Sequence, residues 1–166
     1  MKRLARENLI YFLEPDASPA ITIDSGEELM VETWDAFEGI RDPKFLEAKS
    51  LKGPAIGPIY VNGAEPGDAL RVEFISIVPK EGAAHMVMPG RGFLEEEFPD
   101  AYSTVMTLAD GNLVLPSGIK FPLAPSMGVV ATTPTYKQST SSDSGPYGGD
   151  IDMKELVAGS TLFLPV

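Results

Sequence analysis

The chain contains no cysteine and a single histidine, His85. Without cysteine it has no disulfide framework, no thiolate zinc site and no cysteine nucleophile, which excludes the enzymes that depend on a catalytic thiol. One histidine is too few for a zinc site built on two or three imidazoles, and a Ser-His-Asp arrangement would have to use His85. An ion held by this chain alone should therefore prefer oxygen ligands, as Ca²⁺ and Mg²⁺ do.

Basic residues are scarce relative to acidic ones. The chain has 13 lysines and arginines against 24 aspartates and glutamates, a net charge of −11. Such a surface repels nucleic acid and anionic membranes, so small neutral substrates or cations are the expected partners. No apolar run approaches the ~20 residues of a membrane helix, and no apolar core follows the basic start at Lys2 and Arg3. We therefore predict a cytoplasmic protein.

Glycine and proline, by contrast, are abundant, with 16 and 15 residues. They interrupt the chain often and limit helix to a turn near 43–48 and a short piece at 153–156. The apolar pattern between them predicts roughly ten to twelve short strands, which favours an all-β sandwich or barrel. The length fits a single domain spanning 1–166, with two small lobes sharing a core as a variant.

Turn signals separate the predicted strands. Asp110-Gly111 is a strong two-residue hairpin signal. Residues 79–100 form the least regular segment, and 136–144 are polar and typical of a mobile loop. The strands are expected at residues 8–13, 20–23, 28–34, 57–61, 69–78, 102–108, 112–115, 119–123, 127–133 and 161–166.

The most distinctive segment is 145–152, Gly-Pro-Tyr-Gly-Gly-Asp-Ile-Asp. Gly148 and Gly149 permit positive φ and a close approach to the main chain. Asp150 and Asp152 are two residues apart, so their carboxylates share a face in extended backbone. One interpretation is a site for a cation or a reacting water. The other is a tight connection in which Asp152 caps the short helix.

Three further residues are candidates for chemistry, each with a structural alternative. Glu32 and Asp35 lie where a predicted strand meets a loop, a common place for functional carboxylates. They are equally compatible with an exposed strand residue and a turn-forming aspartate. His85 lies among small and apolar residues, so it either lines a pocket or makes one structural hydrogen bond.

Three stretches of the sequence resemble the acetamidase/formamidase family. They are Val-Glu-Thr-Trp-Asp-Ala-Phe at 31–37, Gly-Pro-Ile-Tyr-Val-Asn-Gly-Ala-Glu-Pro-Gly-Asp at 57–68, and the segment from 145 through Leu-Pro-Val at 164–166. The family's loop reads Gly-Gly-Asn-Met-Asp, and Asp150 replaces its asparagine. The resemblance runs from about residue 10 to the end and implies a fold built mainly from strands.

The resemblance implies hydrolysis of short carboxylic amides, of the formamide and acetamide type, to carboxylate and ammonia. We expect Glu32, Asp35 and Asp150 to be catalytic, and His85, Gly148 and Gly149 to contact substrate. Asp35 and Asp152 are the expected ligands of a divalent ion, which would be Ca²⁺ or Mg²⁺. Zn²⁺ would need His85 or a second chain.

In the resembled family the chain continues past the Leu-Pro-Val strand and supplies further His, Asp and Glu residues. This chain covers about the first half of that pattern. It is therefore either active alone or a non-catalytic half that needs a partner chain, as a split subunit, a cleaved product, a shortened form or a stand-alone relative. Residues 161–166 are apolar on both faces, which predicts burial on both sides or a dimer or larger assembly.

Overall fold

The computed structural model describes residues 1–43, 53–80, 82–140 and 144–166. These residues form seventeen short strands, so the predicted all-β fold class is confirmed. No helix in the described part of the chain has the length and apolar character needed to cross a membrane. The predicted turn near 43–48 lies almost entirely outside the described residues.

The chain divides into two compact units, which we describe separately. Unit 1 comprises Met1–Ala36, Lys52–Ile77 and Ser126–Val166, and unit 2 comprises Phe37–Leu51 and Val78–Pro125. Unit 1 is assembled from three separate stretches of sequence. Most of its strands therefore pair over long sequence separations, whereas those of unit 2 pair with neighbours along the chain.

Unit 1 begins with eight short strands. They are β1 Lys2–Leu4, β2 Leu9–Ile10, β3 Phe12–Leu13, β4 Ile21–Asp24, β5 Leu29–Val31, β6 Ala55–Ile56, β7 Ile59–Asn62 and β8 Ala69–Glu73. Five more follow later in the sequence: β13 Val129–Ala131, β14 Gln138–Ser139, β15 Ser144–Gly145, β16 Gly148–Asp150 and β17 Thr161–Pro165.

The strands of unit 1 pair in small sheets. β1 with β5 and β4 with β7 are parallel, while β2–β6, β3–β14 and β8–β17 are antiparallel. A three-stranded antiparallel sheet has the order β13–β16–β15. The sequence period of two is clear in β17, where Leu164 is buried and its neighbour Phe163 is 62% exposed. The predicted cover on both faces of this strand is therefore not met within the described chain.

The buried core lies in unit 1. Among the described residues, the buried hydrophobic side chains are Leu4, Leu13, Tyr147, Leu156 and Leu164, and all five belong to this unit. Thr140 is the buried polar residue of the described chain, and it is fully buried. Its N–H and its hydroxyl both donate to the carbonyl oxygen of Tyr11, at 3.0 and 3.1 Å. A buried hydroxyl is tolerated there because it has an acceptor.

Unit 2 contains one antiparallel sheet. Its strands are β9 Ala83–Val87, β10 Tyr102–Ala109, β11 Asn112–Val114 and β12 Lys120–Pro122, in the order β12–β11–β10–β9. The predicted Asp110-Gly111 hairpin is confirmed: Ala109 pairs with Asn112, and both turn residues have positive φ, 49° and 72°. Positive φ at both central positions is the geometry of a type I′ turn, which suits the twist of the flanking strands.

Several predicted boundaries were wrong. Residues 8–13 form two two-residue strands instead of one, and the strand predicted at 69–78 ends at Glu73. The phase change after Phe74 marks the end of that strand: Phe74 still bonds to the main chain at 159–160, while Ile75 is 65% exposed. A strand was also missed in the segment 79–100, where β9 pairs with β10.

The predicted helix at 153–156 is a turn. Leu156 N–H donates to the carbonyl oxygen of Met153 at 3.1 Å, and the segment goes no further in helical form. Asp152 has φ of 42°, so it is left-handed and does not occupy the extended geometry of an N-cap. A helix of four residues forms too few hydrogen bonds to offset the free-energy cost of nucleation. The segment instead turns so that Leu156 is buried.

Candidate functional site

The glycine-rich segment forms a hairpin inside unit 1. β15 and β16 are joined by the two-residue turn Pro146-Tyr147, with Gly145 opposite Gly148. β16 also pairs with β13 on its other edge, placing Val130 opposite Gly149. The strand that carries Gly148, Gly149 and Asp150 is therefore the central strand of three.

Glycine is required on this strand because other backbone atoms come very close. Gly148 and Gly149 have φ of 89° and 114°. A Cβ at Gly148 would collide with the carbonyl oxygen of Val130 and would lie 3.2 Å from Leu164 Cδ2. Positive φ and the absence of a side chain together let β13 and β16 approach. The glycines thus connect the hairpin directly to a buried core residue.

Tyr147 closes the turn of the hairpin. Its side chain is 8% exposed, and its ring would lie 2.5 Å from a Cβ at Gly145. The ring of Tyr136 packs edge-on against it, with centroids 6.4 Å apart and planes at 90°. The carbonyl oxygen of Tyr147 accepts the N–H of Thr132 at 2.9 Å. These contacts fix the orientation of the turn from both its side chain and its main chain.

Asp150 lies at the end of β16 with its side chain half-buried. Burial raises the pKa of the Asp150 carboxyl above its ordinary value, and the negative charge of nearby Asp152 raises it further. The hydroxyl of Ser144 donates to the main-chain oxygen of Asp150 at 2.7 Å. A carboxyl held in this way is a better proton acceptor than an ordinary aspartate.

Asp152 lies just beyond the strand and is exposed. Its N–H and that of Ile151 both donate to the carbonyl oxygen of Gly128, at 3.2 and 3.0 Å. A Cβ at Gly128 would lie 2.7 Å from Asp152 Oδ1, so a side chain there would displace the exposed carboxylate. Asp152 influences the Asp150 carboxyl electrostatically, but it is left-handed with φ of 42° and lies beyond the strand, so the two do not share a face of extended backbone as the spacing predicted.

The main-chain amides of the two glycines face neighbouring strands. Because β16 lies between β13 and β15, the N–H groups of Gly148 and Gly149 are directed into the sheet ladders. Their role in this fold is close packing of the strand that carries Asp150. Their predicted contact with substrate stays a prediction.

Glu32 and Asp35 lie at the end of β5, in a different small sheet of unit 1. Arg3 Nη2 lies 2.6 Å from Glu32 Oε1, forming an ion pair at the start of the chain. The guanidinium of Arg6 lies 4.0 Å from the ring centroid of Trp34, next to Asp35. Asp35 is exposed. Glu32 is thus paired with a cation.

His85 lies on β9 in unit 2, opposite Thr104 on β10, and its side chain is exposed. It follows that the predicted site residues come from three sheets and both units. Only Gly148, Gly149, Asp150 and Asp152 are brought together by a shared strand and its continuation.

A metal centre is not assembled by these residues. Across residues 1–43, 53–80, 82–140 and 144–166, no group of three or more His, Asp or Glu side chains is placed to hold an ion. Neither Asp35 nor Asp152, the predicted ligands, belongs to such a group among the described residues, so their binding of an ion stays a prediction.

Sequence reasoning missed three residues that support the hairpin. Thr132 donates its hydroxyl to the carbonyl oxygen of Pro165 at 2.7 Å and so ties the end of β13 to β17. Gly128 and Ser144 hold the main chain around the two aspartates. Nothing in the local pattern marks Thr132 or Gly128, because their partners lie 33 and 24 positions away in sequence. The sequence predicts a polar loop at Ser144, although Ser144 lies close enough to Asp150 in sequence to make a turn contact.

The family model described as "Acetamidase/Formamidase family" matches residues 5–144. Two curated proteins are similar. A Schizosaccharomyces pombe protein whose name includes formamidase is 29% identical over 136 residues, covering 73% of this chain and 33% of that protein. The acetamidase of Mycolicibacterium smegmatis is 32% identical over 114 residues, covering 55% of this chain and 27% of its own length.

A solved structure extends the match to nearly the whole chain. The acetamidase of Bacillus halodurans superposes with a TM-score of 0.91 at 30% identity, over 99% of this chain and 57% of that protein. The chain thus spans about a third of the two curated relatives and little more than half of the solved one. The match corresponds to the N-terminal half of these proteins. On the family match and the shared fold, this chain belongs to the acetamidase/formamidase family.

Proposed function

We propose that this chain takes part in hydrolysing short carboxylic amides, of the formamide and acetamide type, to a carboxylate and ammonia. Membership of the acetamidase/formamidase family supports the reaction class. The single observation that carries the assignment to residues is the Asp150–Asp152 pair on its glycine frame, because it combines a half-buried carboxyl of raised pKa with rigid backbone.

In the proposed reaction Asp150 acts as general base. Its carboxylate takes a proton from water while the water oxygen attacks the amide carbonyl carbon. The resulting tetrahedral species collapses with cleavage of the C–N bond, and Asp150 returns the proton to the leaving nitrogen, which departs as ammonia. The carboxylic acid then loses its proton to solvent. A raised pKa suits this role because it moves the carboxyl toward the operating pH.

The other predicted residues have assigned roles in the proposal. Asp152 keeps the pKa of Asp150 raised, and the two glycines bring β16 close to β13 so that Asp150 has a fixed position. Asp35 contributes to substrate binding, and His85, which lies in unit 2, is given no step in the reaction. Glu32, held by Arg3, serves to orient the segment that carries Asp35.

Metal assistance is a separate part of the proposal. A divalent ion, Ca²⁺, Mg²⁺ or Zn²⁺, would polarise the amide carbonyl when bound. Among the described residues no group of three or more His, Asp or Glu side chains is placed to hold it, so we route no step through it. Metal analysis of dialysed protein checks the expectation that this chain alone prefers Ca²⁺ or Mg²⁺. Stoichiometric, tightly bound zinc in a monomer of this chain would contradict that expectation.

An alternative is a non-catalytic half that needs a partner chain to complete the site. The short share of each relative that the chain covers supports it. In either case we propose a cytoplasmic location, because the acidic, cysteine-free composition suits a reducing compartment. Cell fractionation tests the location.

Ammonia release from formamide and acetamide tests the function. Folded protein should release ammonia above background, and Asp150→Asn should reduce the rate at least about a hundredfold, in line with loss of a general base. Asp100→Asn, at an exposed position in unit 2, is the matched control and should leave the rate unchanged. Activity should fall as pH drops through the pKa of Asp150, and at a higher pH than for an ordinary aspartate. No release from folded wild-type chain, with or without divalent metal, would leave the partner-dependent alternative.

A further inference from the structure

We propose that Asn62 is a site of spontaneous deamidation, and that the carboxylate left by this modification weakens the pairing of β4 with β7. The chain has three asparagines, Asn8, Asn62 and Asn112. Asn62 is followed by glycine, whereas the other two are followed by leucine. Because glycine has no Cβ, its main-chain nitrogen can approach the side chain of the preceding residue closely. The proposed amide hydrolysis does not use Asn62, so the two proposals stand independently.

The main chain around Asn62 is exposed and uncrowded. Asn62 is the last residue of β7, and its side chain is exposed. The N–H of Ala64 donates to the carbonyl oxygen of Val61 at 3.2 Å, which closes a turn in which Gly63 has φ of 79°. A positive φ at the third position is what a type II turn requires. A Cβ at Gly63 would meet nothing within 4 Å. No packed side chain therefore has to move when this turn opens.

The modification consumes only water. The main-chain nitrogen of Gly63 attacks Cγ of Asn62 and forms a succinimide ring. The Cγ–Nδ2 bond breaks, and Nδ2 leaves as ammonia with the proton that the Gly63 nitrogen gives up. Water then opens the ring. Opening at Cγ gives aspartate, and opening at the main-chain carbonyl carbon gives isoaspartate, in which the main chain runs through the former side chain. No atom is oxidised or reduced.

Asp24 makes the loss of this amide a structural change. Asn62 is the partner of Asp24 in the last pair of the parallel β4–β7 ladder. Asn62 Nδ2 donates to Asp24 Oδ1 at 2.7 Å. An ionised carboxylate only accepts hydrogen bonds, so deamidation removes the donor. It also leaves two negative charges side by side where a hydrogen bond had joined the strands, and these charges repel each other.

The surroundings of Asp24 are already acidic. Its main-chain N–H donates to Glu27 Oε2 at 3.1 Å, so a second carboxylate lies close by. Lys2 Nζ lies 2.9 Å from the same glutamate oxygen and donates to the carbonyl oxygen of Thr22 at 2.9 Å. Lys2 is thus engaged with Glu27 and with the main chain of β4. We expect the ladder to open from this exposed end, where local unfolding requires the least free energy.

Incubation of the folded chain in mildly alkaline buffer tests the reaction. Peptide mass spectrometry should show aspartate and isoaspartate at position 62. They should accumulate at least about tenfold faster there than at Asn8 and Asn112, which are internal controls because leucine follows each. Ion-exchange chromatography should show a more acidic species, since each event adds a negative charge. Asn62→Gln should abolish that species, and Asn112→Gln should leave it unchanged.

Asn62→Asp measures the structural consequence without waiting for the reaction. It should lower the urea midpoint and speed hydrogen exchange of the β4 and β7 amides, while the amides of β10 and β11 stay unchanged. Adding Asp24→Asn should recover at least about half of the lost midpoint, because the amide donor then lies on β4 and the repulsion is gone. The proposal is overturned if Asn62 deamidates no faster than the two controls. It is also overturned if Asn62→Asp leaves the midpoint unchanged, or if Asp24→Asn fails to restore it.

Discussion

Unit 1 and unit 2 are both built from short strands, but they bury their apolar side chains very differently. All five buried hydrophobic residues of the described chain lie in unit 1, and the glycine hairpin packs directly on one of them, Leu164. In unit 2 every residue of the four strands is half-buried or exposed. Regular pairing of strands in a sheet therefore does not imply that the side chains of the sheet are buried in a core.

The difference separates two sources of stability. The sheet of unit 2 is held by local hairpins and main-chain hydrogen bonds, each of which contributes only about 1 kcal/mol net. The strands of unit 1 also remove side chains from water, which contributes about 1.5–3 kcal/mol for each fully buried aliphatic or aromatic residue. We expect substitutions with equal chemistry to cost more in unit 1; a glycine pair and a leucine pair test that expectation, and two further changes test the packing of unit 1 itself.

The largest difference is expected between two glycines of almost identical conformation. Gly148 in unit 1 and Gly118 in unit 2 have φ of 89° and 88°, so alanine is strained at both, by about 1–2 kcal/mol. Only at Gly148 would the new Cβ also collide with a carbonyl oxygen, and nothing lies within 4 Å at Gly118. Urea unfolding should show a loss of about 4 kcal/mol for Gly148→Ala and about 1.5 kcal/mol for Gly118→Ala. Equal losses would mean that β13 and β16 do not approach as described.

Two leucines give the next comparison. Leu164 is 5% exposed in unit 1, whereas Leu113 on β11 is only half-buried. Leu164→Ala should lower the free energy of unfolding by about 3 kcal/mol, because it leaves a cavity in a closed core. Leu113→Ala should cost about 1 kcal/mol in the chain alone. A larger cost at Leu113 would show that the sheet of unit 2 buries its leucine as closely as unit 1 does.

A third comparison concerns hydroxyl groups. Thr140 is fully buried and bonds to the carbonyl oxygen of Tyr11, while Thr133 is exposed. Thr140→Val should cost about 1 kcal/mol in thermal or urea unfolding, because the hydrogen bond is lost in a buried position. Thr133→Val should be close to neutral. If both are neutral, the link between β3 and β14 does not depend on this hydroxyl.

The smallest effect is expected at Asp150, and its sign depends on pH. The pKa of this carboxyl is raised in the folded protein by burial and by Asp152, so between its unfolded and folded pKa values the folded state binds more protons. Its contribution to stability therefore falls as pH rises through that window. Asp150→Asn should stabilise the chain slightly at neutral pH and lose that advantage in acid. A variant less stable than wild type at neutral pH, in unfolding curves measured across pH, would contradict the sign.

The sequence predicted the local features well. Strand alternation located β4 and β10–β13, and the Asp110-Gly111 pair located its hairpin because the turn chemistry is contained in two adjacent residues. The spacing of Asp150 and Asp152 predicted a shared face of extended backbone, which the left-handed conformation of Asp152 does not provide. β9 was missed because its alternation is masked by small residues and by the irregular segment that follows it.

Contacts distant in sequence were not predictable from one chain. The pairing of β1 with β5 and of β4 with β7 joins segments about 27 and 38 positions apart, as a parallel ladder with no turn signal. The ion pair between Arg3 and Glu32 depends on this pairing. The hydrogen bond from Thr132 to the carbonyl oxygen of Pro165 likewise joins segments that are distant in sequence. The resemblance in sequence identified the family, whereas the arrangement of this chain's residues depends on packing between segments distant in sequence.

Hydrogen exchange of the isolated chain tests the central comparison most directly. Amides of β13, β16 and β17 are expected to exchange at least about tenfold more slowly than those of β10 and β11, since protection follows burial and packing of the strands. That result would show a closed core in unit 1 and an open sheet in unit 2. Equal protection in the two sets of strands would contradict the account.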